Sequence, residues 1–160
     1  FYLAPILDRM FRNRGYCPQI DGVELDAYRR LRNLRTRKAY GDYFASSVPQ
    51  AKFHACNFLD WKQEAELIFL LNPFVLERSL LAWGLPLKYL QPKKIVEHCV
   101  RRLTAGGRLL LSTPSVKEMS VVSEIVESFG MERLQAGNWK ASSKTTQKQS
   151  RFGALFRKPV

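Results

Sequence analysis

The chain has 160 residues and a mass of 18.5 kDa, with 46% hydrophobic and 25% charged residues, enough to bury a core of its own. No apolar stretch approaches the roughly 18 residues of a membrane span, because Asn72, Pro73, Glu77 and Arg78 interrupt the greasiest region, and Asp8, Arg9 and Arg12 break any signal peptide. Lys and Arg number 26 against 14 Asp and Glu, a net charge of +12 that favours polyanionic partners through attraction and counterion release, although a basic general-purpose enzyme carries such a charge too.

Cys17, Cys56 and Cys99 are odd in number and far apart, and there are two histidines. Neither a disulfide framework nor a zinc site fits that inventory, so the expectation is a reducing, cytoplasmic, metal-free domain with no membrane association.

The predicted elements alternate. Leu3, Ile6, Leu7, Met10 and Phe11 keep one apolar helical face, with Pro5 in the first turn and Asn13-Arg14-Gly15 as the stop. Ile20–Leu25 reads as a short strand. A very basic helix is expected over roughly 26–40, with Tyr28, Leu31 and Leu34 as a thin apolar stripe and Gly41 as its end. Lys52–Cys56 is a strand candidate. Leu67–Leu71 is a continuous apolar run, the pattern of a strand buried on both faces. Pro92 opens a helix with Ile95, Val96, Cys99, Val100 and Leu103 inward, closed by Gly106-Gly107. Leu109-Leu110-Leu111 gives a second buried strand. Ser115-Val116-Lys117-Glu118 is a capping box for a helix ending at Gly130. A strand near Met131–Gln135, a polar loop from Gly137 to Ser150 and a strand over Phe152–Arg157 predict an antiparallel hairpin. The fold class is therefore α/β, with a mostly parallel sheet in a three-layer arrangement.

Ligands of open α/β sheets bind at the carboxyl ends of strands, which points to Glu24, Asn57-Phe58, Asn72-Pro73-Phe74 and Ser112-Thr113-Pro114. An acidic strand end such as Glu24 can accept hydrogen bonds from both ribose hydroxyls, or can simply be solvated. Asn72-Pro73-Phe74 reads equally as a tight strand-to-helix turn with Phe74 in the core. Arg29, Arg30, Arg32, Arg35, Arg37 and Lys38 would surround the basic helix, as a phosphate-tracking surface for RNA or DNA or as a solvated face. Lys140, Lys144, Lys148 and Arg151 would extend a basic rim, with Trp139 stacking on a base or anchoring the core. His54 and His98 read as packing residues, and Trp83 and Tyr89 as sheet cover or substrate-side groups.

The order Gly22-Val23-Glu24-Leu25-Asp26, Phe53–Asp60, Glu66–Phe74 and Leu103–Leu111, with its Gly-Gly turn and closing hairpin, resembles a class I S-adenosylmethionine-dependent methyltransferase. Leu80–Tyr89 is similar to a bacterial subgroup of these proteins. The resemblance covers the whole chain, read as a single domain, but the family's first strand and glycine-rich loop have no counterpart, and the chain reads as truncated just after that loop or, alternatively, as a catalytically silent basic relative that has lost the cofactor and binds RNA or DNA. That strand lies between the family's second and fourth strands. Its absence implies a gap or direct pairing there, with exposed edges.

The resemblance implies S-adenosylmethionine as cofactor, held by Glu24 with Leu25 at the ribose, Asn57 at the adenine amino group, Phe58 on the adenine face and Asn72 near the methyl group. Asn72, Pro73 and Phe74 would flank an unidentified methyl acceptor. Asn57 stands where Asp is usual, and Asn72-Pro73-Phe74 has one proline fewer than the motif of amino-group methyltransferases.

Overall fold

A computed structural model describes residues 1–139 and 151–160. The polar loop expected to Ser150, with Lys140, Lys144 and Lys148, lies outside the described residues beyond residue 139, as does the side chain of Trp139. Two compact units divide the chain, Phe1–Trp61 and Lys62–Val160.

The first unit contains α1 (Ala4–Arg12), β1 (Ile20–Val23), α2 (Arg37–Ser46) and β2 (Ala51–His54). β1 and β2 form a two-stranded parallel sheet in which Val23 faces His54. Across it, His54 Nε2 lies 2.8 Å from Asp21 Oδ1, so the histidine is tied to a carboxylate.

The expected basic helix is absent from its first half. Residues 26–36 form a closed hairpin-like turn, in which Leu31 N–H donates to Arg35 O at 2.8 Å and Arg37 N–H to Arg29 O at 3.1 Å, with Arg30 bridged antiparallel to Thr36. Short polar side chains divert the backbone from helix here. Glu24 Oε1 accepts from Asp26 N–H, Asn33 Oδ1 accepts from Arg35 N–H, and Thr36 Oγ1 caps α2 by accepting from Ala39 N–H. Tyr28, Leu31 and Leu34 are consequently exposed rather than an inward stripe. Gly41 does not end the helix either. It is buried within α2, and a Cβ there would stand 2.5 Å from the Phe53 ring, so the missing side chain lets α2 seat on β2.

The second unit contains β3 (Ala65–Leu71), α3 (Glu77–Ala82), α4 (Pro92–Arg102), β4 (Leu103–Thr113), α5 (Val116–Ser128), β5 (Glu132–Trp139) and β6 (Arg151–Arg157). Its sheet order is β3-β4-β6-β5, with β3 parallel to β4 and β6 antiparallel to both of its neighbours. The closing hairpin is therefore as expected, with the last strand inserted between β4 and β5. β1 and β3 belong to separate sheets.

The period-2 pattern of β4 sends Leu109 and Leu111 into the core with Phe156 of β6, Val96 and Cys99 of α4, and Val122 and Val126 of α5, all at most 1% exposed. β3 differs from the doubly buried strand expected of it. Only Ile68 is buried and Leu71 is 44% exposed, and among the described residues of its sheet β3 pairs with β4 alone.

Gly106-Gly107 lies inside β4 rather than closing α4. Ala65 faces Leu103 and Leu67 faces Arg108, so one β3 residue, Glu66, opposes the four residues 104–107. Gly106 takes a φ of +72°, and a Cβ on Gly107 would meet Thr104 O at 2.8 Å. The pair is the bulge that lets β4 start directly from the helix. Lys158 Nζ satisfies two carbonyls at that junction, Val100 O at 2.9 Å and Leu103 O at 2.7 Å. The capping box of α5 is present: Ser115 Oγ accepts from Glu118 N–H at 3.2 Å and donates to Glu118 Oε2 at 2.9 Å.

Candidate functional site

In the first unit, Glu24 follows the last residue of β1 and stays on the sheet through its N–H to His54 O at 3.1 Å. Its carboxylate is held from both sides. Oε1 accepts the Asp26 N–H at 2.9 Å, and Oε2 accepts from Arg37 Nη1 at 3.1 Å. About a third of the side chain stays exposed. Each carboxylate oxygen retains a further lone pair, so the two contacts orient Glu24 without exhausting it. Leu25, half-buried, follows at the start of the turn.

Asn57 and Phe58 lie just beyond the carboxyl end of β2, the strand paired with β1. Asn57 caps a single 3-10 turn, Phe58–Asp60, its Oδ1 accepting from Leu59 N–H at 3.1 Å. A second lone pair of that oxygen remains to accept from a ligand amine. Phe58 stacks on Trp61, with centroids 6.0 Å apart and planes 21° apart. Glu24, Leu25, Asn57 and Phe58 are thus gathered at the same end of one parallel strand pair.

In the second unit, Asn72-Pro73-Phe74 follows β3. Asn72 has a φ of +53°, a left-handed conformation that Asn tolerates better than most residues. Its N–H donates to Ser112 O at 2.7 Å, joining the ends of β3 and β4, and its Oδ1 accepts from Arg151. Pro73 is buried, and Phe74 meets Trp83 edge-on with centroids 5.8 Å apart. The turn and the aromatic pair explain both residues as scaffold, leaving the exposed Asn72 amide as the group available to a ligand.

The sequence reading missed Arg37 as the partner of Glu24 and Arg151 as the partner of Asn72. The pairs are 13 and 79 residues apart, and no local pattern signals such contacts. It also missed Ser79, whose hydroxyl donates to the buried Glu118 at 2.6 Å and ties α3 to α5. Among the described residues no group of three His, Cys, Asp or Glu side chains could hold a metal, and no helix is long and apolar enough to cross a membrane.

No protein-family model matches the sequence, and no curated protein matches it. Solved structures do. The N-methyltransferase NodS from Bradyrhizobium japonicum, in complex with S-adenosyl-L-homocysteine, aligns with a TM-score of 0.60 and 12% identity over 98% of this chain and 86% of that one. A methyltransferase from Pyrococcus furiosus aligns with a TM-score of 0.58 and 15% identity over 98% of this chain and 68% of that one. The [4+2]-cyclase SpnF aligns with a TM-score of 0.62 and 11% identity over 98% of this chain and 70% of that one, so the same fold also serves an activity of another name. With its parallel strands and its inserted antiparallel last strand, the chain has the Rossmann-like fold of class I methyltransferases.

Proposed function

We infer that this chain is an S-adenosylmethionine-dependent methyltransferase domain. The observation that carries the reading is the placement of Glu24 and Asn57-Phe58 at the carboxyl ends of two paired parallel strands, where nucleotide ligands of such sheets bind. Glu24, already oriented by Arg37 and the Asp26 amide, would accept from the two ribose hydroxyls, with Leu25 beside it. Asn57 would accept from the adenine amino group through its remaining lone pair, more weakly than a carboxylate. Phe58, stacked on Trp61, would pack on the base. In the second unit, taken by itself, Pro73 and Phe74 fix the turn that presents the Asn72 amide, the acceptor-side group that the family resemblance implies.

When bound, S-adenosylmethionine supplies a methyl group on a positively charged sulfur, which leaves as a neutral thioether with the bonding electron pair. The residues of this chain would have to align the acceptor with that methyl. No side chain has to form a covalent bond, so a site without a nucleophilic cysteine or a free histidine suits the reaction.

Calorimetric titration of S-adenosylhomocysteine into this chain, and into any longer form of it, tests the reading. Saturable binding, weakened at least tenfold by Glu24→Ala and much less by Glu24→Gln, is the expected result. Binding unchanged in Glu24→Ala removes Glu24 from the site, and failure of every form to bind overturns the assignment.

A further inference from the structure

The turn between β1 and α2 has a charge arrangement that the cofactor reading does not use. At its base the cations are neutralised: Arg29 is paired with Asp26, Arg37 with Glu24 and, one residue on, Lys38 with Asp42 at 2.6 Å. At its tip Arg30, Arg32 and Arg35 are exposed, and among the described residues no carboxylate lies within 4 Å of any of them. A helix would have spread these charges round its circumference. The closed turn gathers three unneutralised guanidinium groups within six residues.

Aromatic groups lie in the same turn and on the adjoining α2. Tyr28 and Tyr43 are 70% and 67% exposed, large fractions for rings that could have packed. Arg35, Ala39, Tyr40 and Tyr43 line an open recess of about 290 Å³, at the lower limit of small-molecule pockets (about 300 Å³). The Tyr40 hydroxyl is fixed by Asn33 Nδ2 at 2.6 Å, which ties the recess wall to the turn.

We propose that the 26–36 turn and the adjoining face of α2 bind single-stranded nucleic acid, with Arg30, Arg32 and Arg35 on phosphates and Tyr43 stacking on a base. Charge alone would suit any polyanion; unneutralised arginines beside exposed aromatic faces suit a strand that offers both phosphates and unpaired bases. The proposal does not depend on the cofactor assignment, since none of these residues belongs to that site.

Fluorescence anisotropy with a labelled 20-nucleotide oligouridylate, measured across a salt series, tests it. The variant R30Q/R32Q/R35Q should lose at least tenfold in affinity at 0.1 M salt. Its log–log salt slope should fall by about 2, three charges at about 0.7 each. Tyr43→Ala should weaken oligouridylate binding about 5- to 100-fold, from the loss of one stacked base, without changing the salt slope or the binding of heparin. K93Q/K94Q/K117Q, which removes the same charge from exposed sites of the second unit, is the control. The proposal fails if the parent does not bind the oligonucleotide or if the control variant loses as much affinity as the arginine variant. It also fails if Tyr43→Ala weakens heparin equally. Far-UV circular dichroism melts confirm that each variant is folded, which the exposed positions of the substituted arginines and lysines favour.

Discussion

The two units of this chain are held together by different physics. The second has a dense apolar centre, in which Phe156, Leu109, Leu111, Val96, Val122 and Val126 are essentially removed from water. The first buries few large side chains, chiefly Val48 and Trp61, and relies on directed polar contacts: Asp21 with His54, Glu24 with Arg37, and Asn33 with Tyr40. Apolar burial is non-directional and sums with area. Hydrogen-bonded carboxylates fix side-chain directions but contribute less net stability, because water is displaced from each partner. The unit that presents Glu24, Asn57 and the arginine turn is therefore the one built for orientation, and the unit with β4, α4 and α5 is the one built for stability.

The largest effect should come from breaking the dense centre. Phe156→Ala removes a fully buried ring from the middle of the four-stranded sheet and should cost about 3–5 kcal/mol, read as a lowered urea midpoint. A loss below about 1 kcal/mol would show that the centre is not what stabilises this unit. A smaller loss is expected at the α2–β2 contact. Gly41→Ala improves helix propensity by about 1 kcal/mol, but the new Cβ stands 2.5 Å from the Phe53 ring, and overpacking of that kind costs about 1–3 kcal/mol. Net destabilisation is the prediction, and a rise in thermal midpoint would contradict the close approach.

Ser115→Ala should be milder still, about 1 kcal/mol, from loss of the α5 cap. Ser115→Thr should restore most of it, whereas equal losses in both variants would mean that the hydroxyl bond is not the cause. Smallest near neutral pH, where it is nil, is a pH dependence carried by Cys99 of α4. Burial pushes the Cys99 thiol up to about 12 from an ordinary value of 9.0. The folded state thus holds the thiol proton more tightly than the unfolded chain, so this contribution is intact below about pH 9 and is lost as the pH rises toward 12. Urea midpoints of the parent should accordingly fall more steeply over that window than those of Cys99→Val. In native-state thiol labelling, exposed Cys17 should react first and Cys99 last.

Much of the second unit was legible in the sequence. Pro92 at a helix start, the Ser115–Glu118 box and the Leu109-Leu110-Leu111 strand each report a local rule, and the structure keeps all three as elements, with Leu109 and Leu111 buried and Leu110 half-buried. The strand ends Glu24, Asn57 and Asn72 were equally legible as positions, since a strand end is a local feature. Their partners Arg37 and Arg151 were not, because a contact between residues distant in sequence leaves no mark on spacing. The segment 26–36 misled for a related reason. Its arginines and leucines are good helix formers, yet Asn33, Thr36 and the Glu24 carboxylate offered the backbone competing bonds, one of them from outside the segment.

By itself, then, the sequence determined the charge, the periodicities, the caps and the order of strand and helix, because each of these is set within a few residues. Tertiary structure alone decided that Gly41 seats a helix rather than ending it, that Gly106-Gly107 forms a bulge, that β3 pairs with β4 alone among the described residues of its sheet, and that three arginines gather at the tip of one turn. Those outcomes depend on which atoms arrive from elsewhere in the chain, and the free energy of a close approach, a strand pairing or an ion pair exists only once both partners are in place.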